Sequence, residues 1–264
     1  VKAKALKPPQ KLKPTARKAG IDGVPAAKAR AIAAKEPVAK KIKRGKTAKP
    51  LAPERITAIL DALRKTYPNV VCALTHRNAF ELTIATILSA QTTDVGVNKA
   101  TPQLFKLYPT PQALAAASLP EIEPLIRSTG FYRSKAKSIQ GAARVLVERF
   151  GGKVPETVEE LTQLPGVARK TANVVLGSWF GIPSGVVVDT HVLRLSRRLE
   201  LTKNTDPVKV EQDLQKVIPQ DRWIQFSHEL IHHGRQVCIA RKPRCPDCSL
   251  ETLCNSADKT WTSH

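Results

Sequence analysis

From Pro53 onward, apolar residues recur at the three- and four-residue spacing of helices. Ile56, Ile59, Leu60 and Leu63 share one face, opened by Pro53 at a suitable first helical position. Phe80, Leu82, Ile84, Ile87 and Leu88 form a denser apolar stretch that reads as a more buried helix. The pattern predicts further helices near 94–107, 111–117, 120–128, 134–150, 157–163, 169–180, 190–199, 206–217 and 221–234. Gly130, Gly151, Gly152, Gly166, Gly181 and several prolines punctuate them. Only Val186-Val187-Val188 looks strand-like, and it is too short to build a sheet. The expected fold class is all-α.

Residues 1–50 break this pattern. They hold 16 Lys/Arg against two acids, Asp22 and Glu36, a net of +14, and no aromatic residue. A Lys/Ala/Pro-rich segment of this kind cannot bury enough apolar surface to offset chain entropy, so disorder is expected. A transit peptide would be rich in Arg and Ser, whereas this segment has three Arg and no Ser. A polycation that holds DNA non-specifically through counterion release suits it better.

The whole chain of 264 residues carries +21, of which the 27 basic and 20 acidic residues after position 50 supply +7. Such a balance points to a polyanionic partner, either nucleic acid or an anionic membrane surface. No apolar run reaches the roughly 18 residues needed to span a bilayer, and no basic start leads into an apolar signal core. A soluble, cytoplasmic protein without a membrane partner is therefore expected. In that setting the five cysteines read as metal ligands or core thiols rather than disulfides.

Candidate chemistry concentrates in three stretches. In Leu164-Pro165-Gly166-Val167-Ala168-Arg169-Lys170-Thr171-Ala172, a Pro-Gly turn reverses the chain between two helices. Small residues at Gly166 and Ala168 let another backbone approach, and the free amides opening the second helix form an anion site. This is a helix-hairpin-helix pattern, suited to gripping duplex phosphates. Arg169 and Lys170 add charge there. Lys170 has two readings. It can contact a phosphate, or it can be a nucleophile, since a cation in a first helical turn opposes the helix dipole and becomes easier to deprotonate. In Val188-Asp189-Thr190-His191, Asp189 suits a helix N-cap or a catalytic carboxylate. The third stretch, Cys238-x6-Cys245-x2-Cys248-x5-Cys254, places four thiols within 17 residues. Tetrahedral zinc and a [4Fe–4S] cluster both fit that run. Arg241, Lys242 and Arg244 within it would form a basic finger toward a DNA backbone. Cys72 stands apart among apolar neighbours and reads as a buried thiol.

Together these stretches resemble the endonuclease III family of DNA glycosylases, from about Pro53 to Cys254. Leu88-Ser-Ala-Gln-Thr-Thr-Asp94 and Gly130-Phe-Tyr-Arg-Ser-Lys-Ala136 carry the likeness further. The resemblance implies two all-α lobes with a DNA-binding cleft between them. One would be a helical barrel over 72–183, the other would join 51–71 to 184–264. It implies that Lys170 and Asp189 are the catalytic pair and that Cys238, Cys245, Cys248 and Cys254 hold a [4Fe–4S] cluster. Gln91 and Phe131 match wedge positions that fill the gap left by an extruded base; without the resemblance, Gln91 could cap a helix and Phe131 could pack in the core.

The implied activity is removal of damaged pyrimidines from duplex DNA, followed by strand cleavage through a lysine Schiff base at the abasic site. A monomeric, bacterial-type, nucleoid-associated enzyme is the implied form. Two alternatives are an adenine mismatch glycosylase, which typically lacks the lysine, and a non-catalytic DNA-binding iron–sulfur protein. One departure is Ala168, where the family commonly has glycine. Alanine disfavours positive φ and adds a methyl group near the phosphate, so a looser contact is expected.

Overall fold

Residues 51–261 are described by the structure, a computed structural model; the expected disordered tail over 1–50 lies outside the described residues. Among the described residues there are eleven α-helices and no strand. Helix α1 (Pro53–Thr66) starts on its proline and buries Ile56, Ile59, Leu60 and Leu63. Helix α2 (Ala79–Leu88) is buried all round, and the Asn78 side chain caps it by accepting from the Glu81 N–H. Helices α3 (Asp94–Leu107), α4 (Pro111–Ala116), α5 (Leu119–Ile126) and α6 (Tyr132–Phe150) follow. A Ser118–Glu121 capping box opens α5, and Gly151 in the left-handed region closes α6. After the short α7 (Val158–Leu161) and α8 (Arg169–Val175), the chain continues as a π turn, Leu176–Phe180.

These elements enclose one apolar core that includes Leu82, Ile84, Leu104, Ile122, Ile139 and Leu146. A second core is assembled from distant parts of the chain. Helix α1 packs there with α9 (Thr190–Arg198), α10 (Pro207–Val217) and α11 (Trp223–Gln236), around Ile59, Leu63, Leu195, Leu214, Phe226 and Leu230.

Two expectations from the pattern need correcting. The helix expected over 169–180 is α-helical only to Val175. Its last turn widens to π geometry, and Gly181 at φ +68° then reverses the chain, with the Ile182 N–H returning to the Leu176 carbonyl at 3.0 Å. The helix expected over 157–163 keeps four residues, because tight turns (Gln163 N–H to Glu160 O, Leu164 N–H to Leu161 O) draw the chain toward Pro165. As expected, Val186–Val188 builds no sheet: it is extended and, among the described residues, pairs with no strand. Its β-branched side chains are buried, and the Val187 N–H donates to Ser227 Oγ at 3.1 Å.

Candidate active site and nucleic-acid interface

The hairpin owes its shape to buried leucines and one glycine. Leu161, Leu164 and Val167 anchor it to the first core, and the Val167 N–H closes the Pro165-Gly166 turn on the Leu164 carbonyl at 3.0 Å. Gly166 has φ +81°, and a Cβ there would meet Ile87 Cγ2 and Ser138 Cβ at 3.0 Å. Glycine is thus required twice over, by conformation and by space. Ala168 is different. It has φ −93° and ψ 171°, ordinary extended backbone at the N-cap of α8. Of the two reasons for expecting a looser contact, the backbone one is corrected: no positive φ is demanded. Its side chain makes no cap hydrogen bond, so the α8 amides face outward without a competing oxygen.

Lys170 stands exposed in the first turn of α8. It lines an open cleft of about 130 Å³ together with Asp189, Asn173, Cys72, Ser178 and His228. Asp189 caps α9, with Oδ1 accepting from the His191 and Val192 N–H groups, both at 2.8 Å. The structural and chemical readings of Asp189 are therefore compatible, since a cap that uses one oxygen fixes the carboxylate at the cleft wall.

Arg169 lies beside Glu211 of α10, at 3.1 Å, and Asn173 donates to the same carboxylate at 3.0 Å. Glu211 holds the Arg169 guanidinium above its ordinary range, and the contact ties the hairpin to the second core. Across the cleft, Arg235 of α11 meets Asp94 of α3 at 2.7 Å, and Ser178 Oγ lies 3.3 Å from His228 Nε2. Burial lowers the His228 pKa from its ordinary imidazole value. Cys72, expected in a core, is half-buried at the cleft wall, where burial pushes its thiol up. Ser178, His228 and Arg235 escaped the sequence reading because nothing local marks them; only the fold gathers them.

Gln91 and Phe131 are both exposed, Phe131 by 69%, and both adopt left-handed backbone (φ 54° and 47°). Neither plain alternative holds: Thr93, not Gln91, caps α3, and Phe131 is outside the core. A non-glycine residue in this region costs on the order of 1 kcal/mol and persists where its surroundings impose it.

Cys238, Cys245, Cys248 and Cys254 are all free thiols and line one cavity packed against the second core. Among the described residues, no three His, Cys, Asp or Glu side chains close on a point as a single ion requires. The four cysteines line that one cavity, a thiolate donor set that both zinc and an iron–sulfur cluster accept. N–H donors already aim at them. Arg198 donates to Cys238 Sγ at 3.2 Å, the Thr260 N–H donates to Cys245 Sγ at 3.4 Å, and His233 Nε2 lies 3.4 Å from Cys248 Sγ. Such donors stabilise thiolate charge. Burial pushes the Cys248 thiol up to about 11, so a bound cation is needed to hold it deprotonated at neutral pH.

The loop is fastened by arginines the sequence reading missed. Arg55 of α1 donates to the Leu253 and Leu199 carbonyls; Arg194 and Arg198 of α9 donate to the carbonyls of Cys238 and Ile239. The four-residue spacing of Arg194 and Arg198 was the available signal. Arg241, Lys242 and Arg244 are exposed on the intervening finger, with Lys242 at φ 53° and Arg244 paired to Asp247 at 3.2 Å. No helix among the described residues is long and apolar enough to cross a membrane.

Comparison with known proteins agrees with this arrangement. Residues 84–220 match the HhH-GPD superfamily of base excision DNA repair proteins. Endonuclease III of Synechocystis sp. is 59% identical over 204 residues, covering 77% of this chain and 93% of its own. Endonuclease III of Bacillus subtilis is 44% identical, covering 78% and 94%. A solved non-covalent endonuclease III–DNA complex superposes with a TM-score of 0.74 at 46% identity, covering 78% of this chain and 96% of that one. A trapped covalent endonuclease III–DNA intermediate superposes equally well.

Proposed function

Because the chain belongs to the endonuclease III family within the HhH-GPD superfamily, we propose that its cleft performs imine chemistry on Lys170. The enzyme is a base-excision-repair DNA glycosylase and abasic-site lyase acting on damaged pyrimidines in duplex DNA. The observation that carries the residue assignment is that Lys170 and Asp189 line one cleft.

A damaged pyrimidine rotates out of the stack, at a cost of a few kcal/mol that poor stacking of the lesion reduces. The Asp189 carboxylate relays a proton from the Lys170 ammonium to the departing base and, ionised again, balances positive charge on the sugar–lysine adduct. The amine attacks C1′, the C1′–N bond breaks, and the base departs with its electron pair. The sugar opens to an imine. Loss of a C2′ proton then expels the 3′ phosphate by β-elimination, and water releases the lysine.

Supporting roles follow from position. Gly166 allows the turn by which the amides after Ala168 meet a phosphate, with Arg169 beside them. Gln91 and Phe131 act as wedges. Arg241, Lys242 and Arg244 contact the backbone further along. Cys238, Cys245, Cys248 and Cys254 hold a [4Fe–4S] cluster, whose iron–thiolate bonds supply a cross-link when it is bound. The lobes are 72–183 and 51–71 plus 184–264. Residues 1–50 tether the enzyme to undamaged duplex in a cytoplasmic, nucleoid-associated setting; their deletion should flatten the salt dependence of that binding and spare single-turnover excision.

Duplexes carrying single oxidised pyrimidines test the activity, assayed before and after alkaline cleavage. Strand breaks without alkali are expected. Breaks only after alkali would reduce the enzyme to a glycosylase without lyase action, and none under either condition would remove both activities.

A further inference from the structure

One buried lysine has no part in the chemistry above. Lys135 lies in the first turn of α6 and is only 5% exposed. Its Nζ donates to the Leu88 carbonyl at 2.8 Å, to Thr92 Oγ1 at 2.8 Å and to the Thr129 carbonyl at 2.7 Å. Thr92 Oγ1 in turn donates to the Thr129 carbonyl, closing a ring of contacts. Three acceptors occupy all three hydrogens of an ammonium, and the neutral amine, with two, could not serve them. Burial favours the neutral form and lowers the pKa, and the carbonyls oppose that cost. Leu88 ends α2, where unpaired carbonyls and the negative end of the helix dipole gather, and Thr129 ends a 3₁₀ turn.

These anchor points bracket Gln91 and adjoin Phe131, two of the exposed left-handed residues. Leu88 and Thr92 flank Gln91; Thr129 stands two residues before Phe131, whose carbonyl accepts from the Lys135 backbone N–H at 3.0 Å. Between Thr129 and Phe131, Gly130 takes φ 67° and ψ 159°, a conformation open essentially to glycine alone. We propose that Lys135 is a positioning residue that binds the two wedge loops into one unit, so that Gln91 and Phe131 enter the duplex together. The proposal rests on the wedge reading of those two residues. A lysine that merely stabilised the first core would need neither loop end, and a hydrophobic side chain would serve as well at a fully buried site.

The test uses the full-length, cluster-loaded enzyme and a duplex containing a tetrahydrofuran abasic analogue, with 2-aminopurine opposite it. Fluorescence rises as wedges displace the orphaned base. Cleavage of an abasic site in a single strand, where nothing must be wedged, reports Lys170 chemistry and folding separately. Lys135→Met is expected to slow the fluorescence rise about tenfold or more, since small misplacements of positioning groups have effects of that size. Single-strand cleavage should stay within about twofold of the parent. Added to a Gln91→Ala/Phe131→Ala background, Lys135→Met should slow the rise no further.

Should Lys135→Met fail to fold, Thr92→Val removes only the bridging hydroxyl, and a smaller slowing in the same direction is expected. A normal fluorescence rise in the folded lysine variant, or in Thr92→Val if the lysine variant is unfolded, overturns the proposal. Equal loss of duplex and single-strand signals overturns it too, as does full additivity with the wedge variants. If Gln91→Ala and Phe131→Ala themselves leave the rise unchanged, the wedge reading fails and the proposal goes with it.

Discussion

The hairpin and the cysteine loop both present cations at the surface, but they are held in different ways. The hairpin is fixed by its own backbone: Leu161, Leu164 and Val167 root it in the first core, and Gly166 supplies the one conformation its turn demands. The cysteine loop from Cys238 to Cys254 has only two short 3₁₀ turns. It is held by arginines from α1 and α9, and its four cysteines line one cavity. The hairpin should therefore keep its shape without a cofactor, while the loop should depend on one.

The largest expected effect lies on the hairpin side, where Lys170 works opposite Asp189. Asp189→Asn keeps an oxygen for the α9 cap yet removes the charge, so excision should slow about 10²- to 10⁴-fold with little change in thermal midpoint. Single-turnover kinetics beside calorimetry checks this; a comparable fall in stability would reduce Asp189 to a cap. Next comes Cys248→Ser, expected to lose iron and about 3 kcal/mol, roughly 10 °C in Tm. Iron analysis and calorimetry measure both, and an unchanged midpoint would show that the arginines alone hold the loop.

Gly166→Ala should follow at about 2 kcal/mol, from its positive φ and the contacts with Ile87 and Ser138. Ala168→Gly is the smallest: at φ −93° the substitution should change stability by less than about 0.5 kcal/mol. Reversal of those last two magnitudes in denaturant titrations would upset the backbone account of the hairpin.

What was legible in the sequence follows the same division. Helix periodicity, the Pro165-Gly166 turn and the cysteine spacing are local, and they could be read directly. Ala168 was misjudged because a residue type does not report its φ. Contacts between distant positions left no local trace. Arg55 reaches Leu253 across 198 positions, and Arg169, read in sequence only as a phosphate contact, also meets Glu211 across 42. The Lys135 clasp spans 47 positions to Leu88 and reads, in sequence, as one more helical lysine. Phe131 shows the converse: an aromatic residue favours a core until its left-handed backbone and exposure are known.

The central claim is that the amine of Lys170 forms the covalent bond to the sugar. It is tested most directly by borohydride reduction of the cluster-loaded enzyme on an abasic-site duplex, followed by peptide mapping of the adduct. The account predicts a single trapped peptide bearing the sugar on Lys170, absent from Lys170→Ala while DNA binding persists. An adduct on another lysine, or none from the wild-type enzyme, would contradict it.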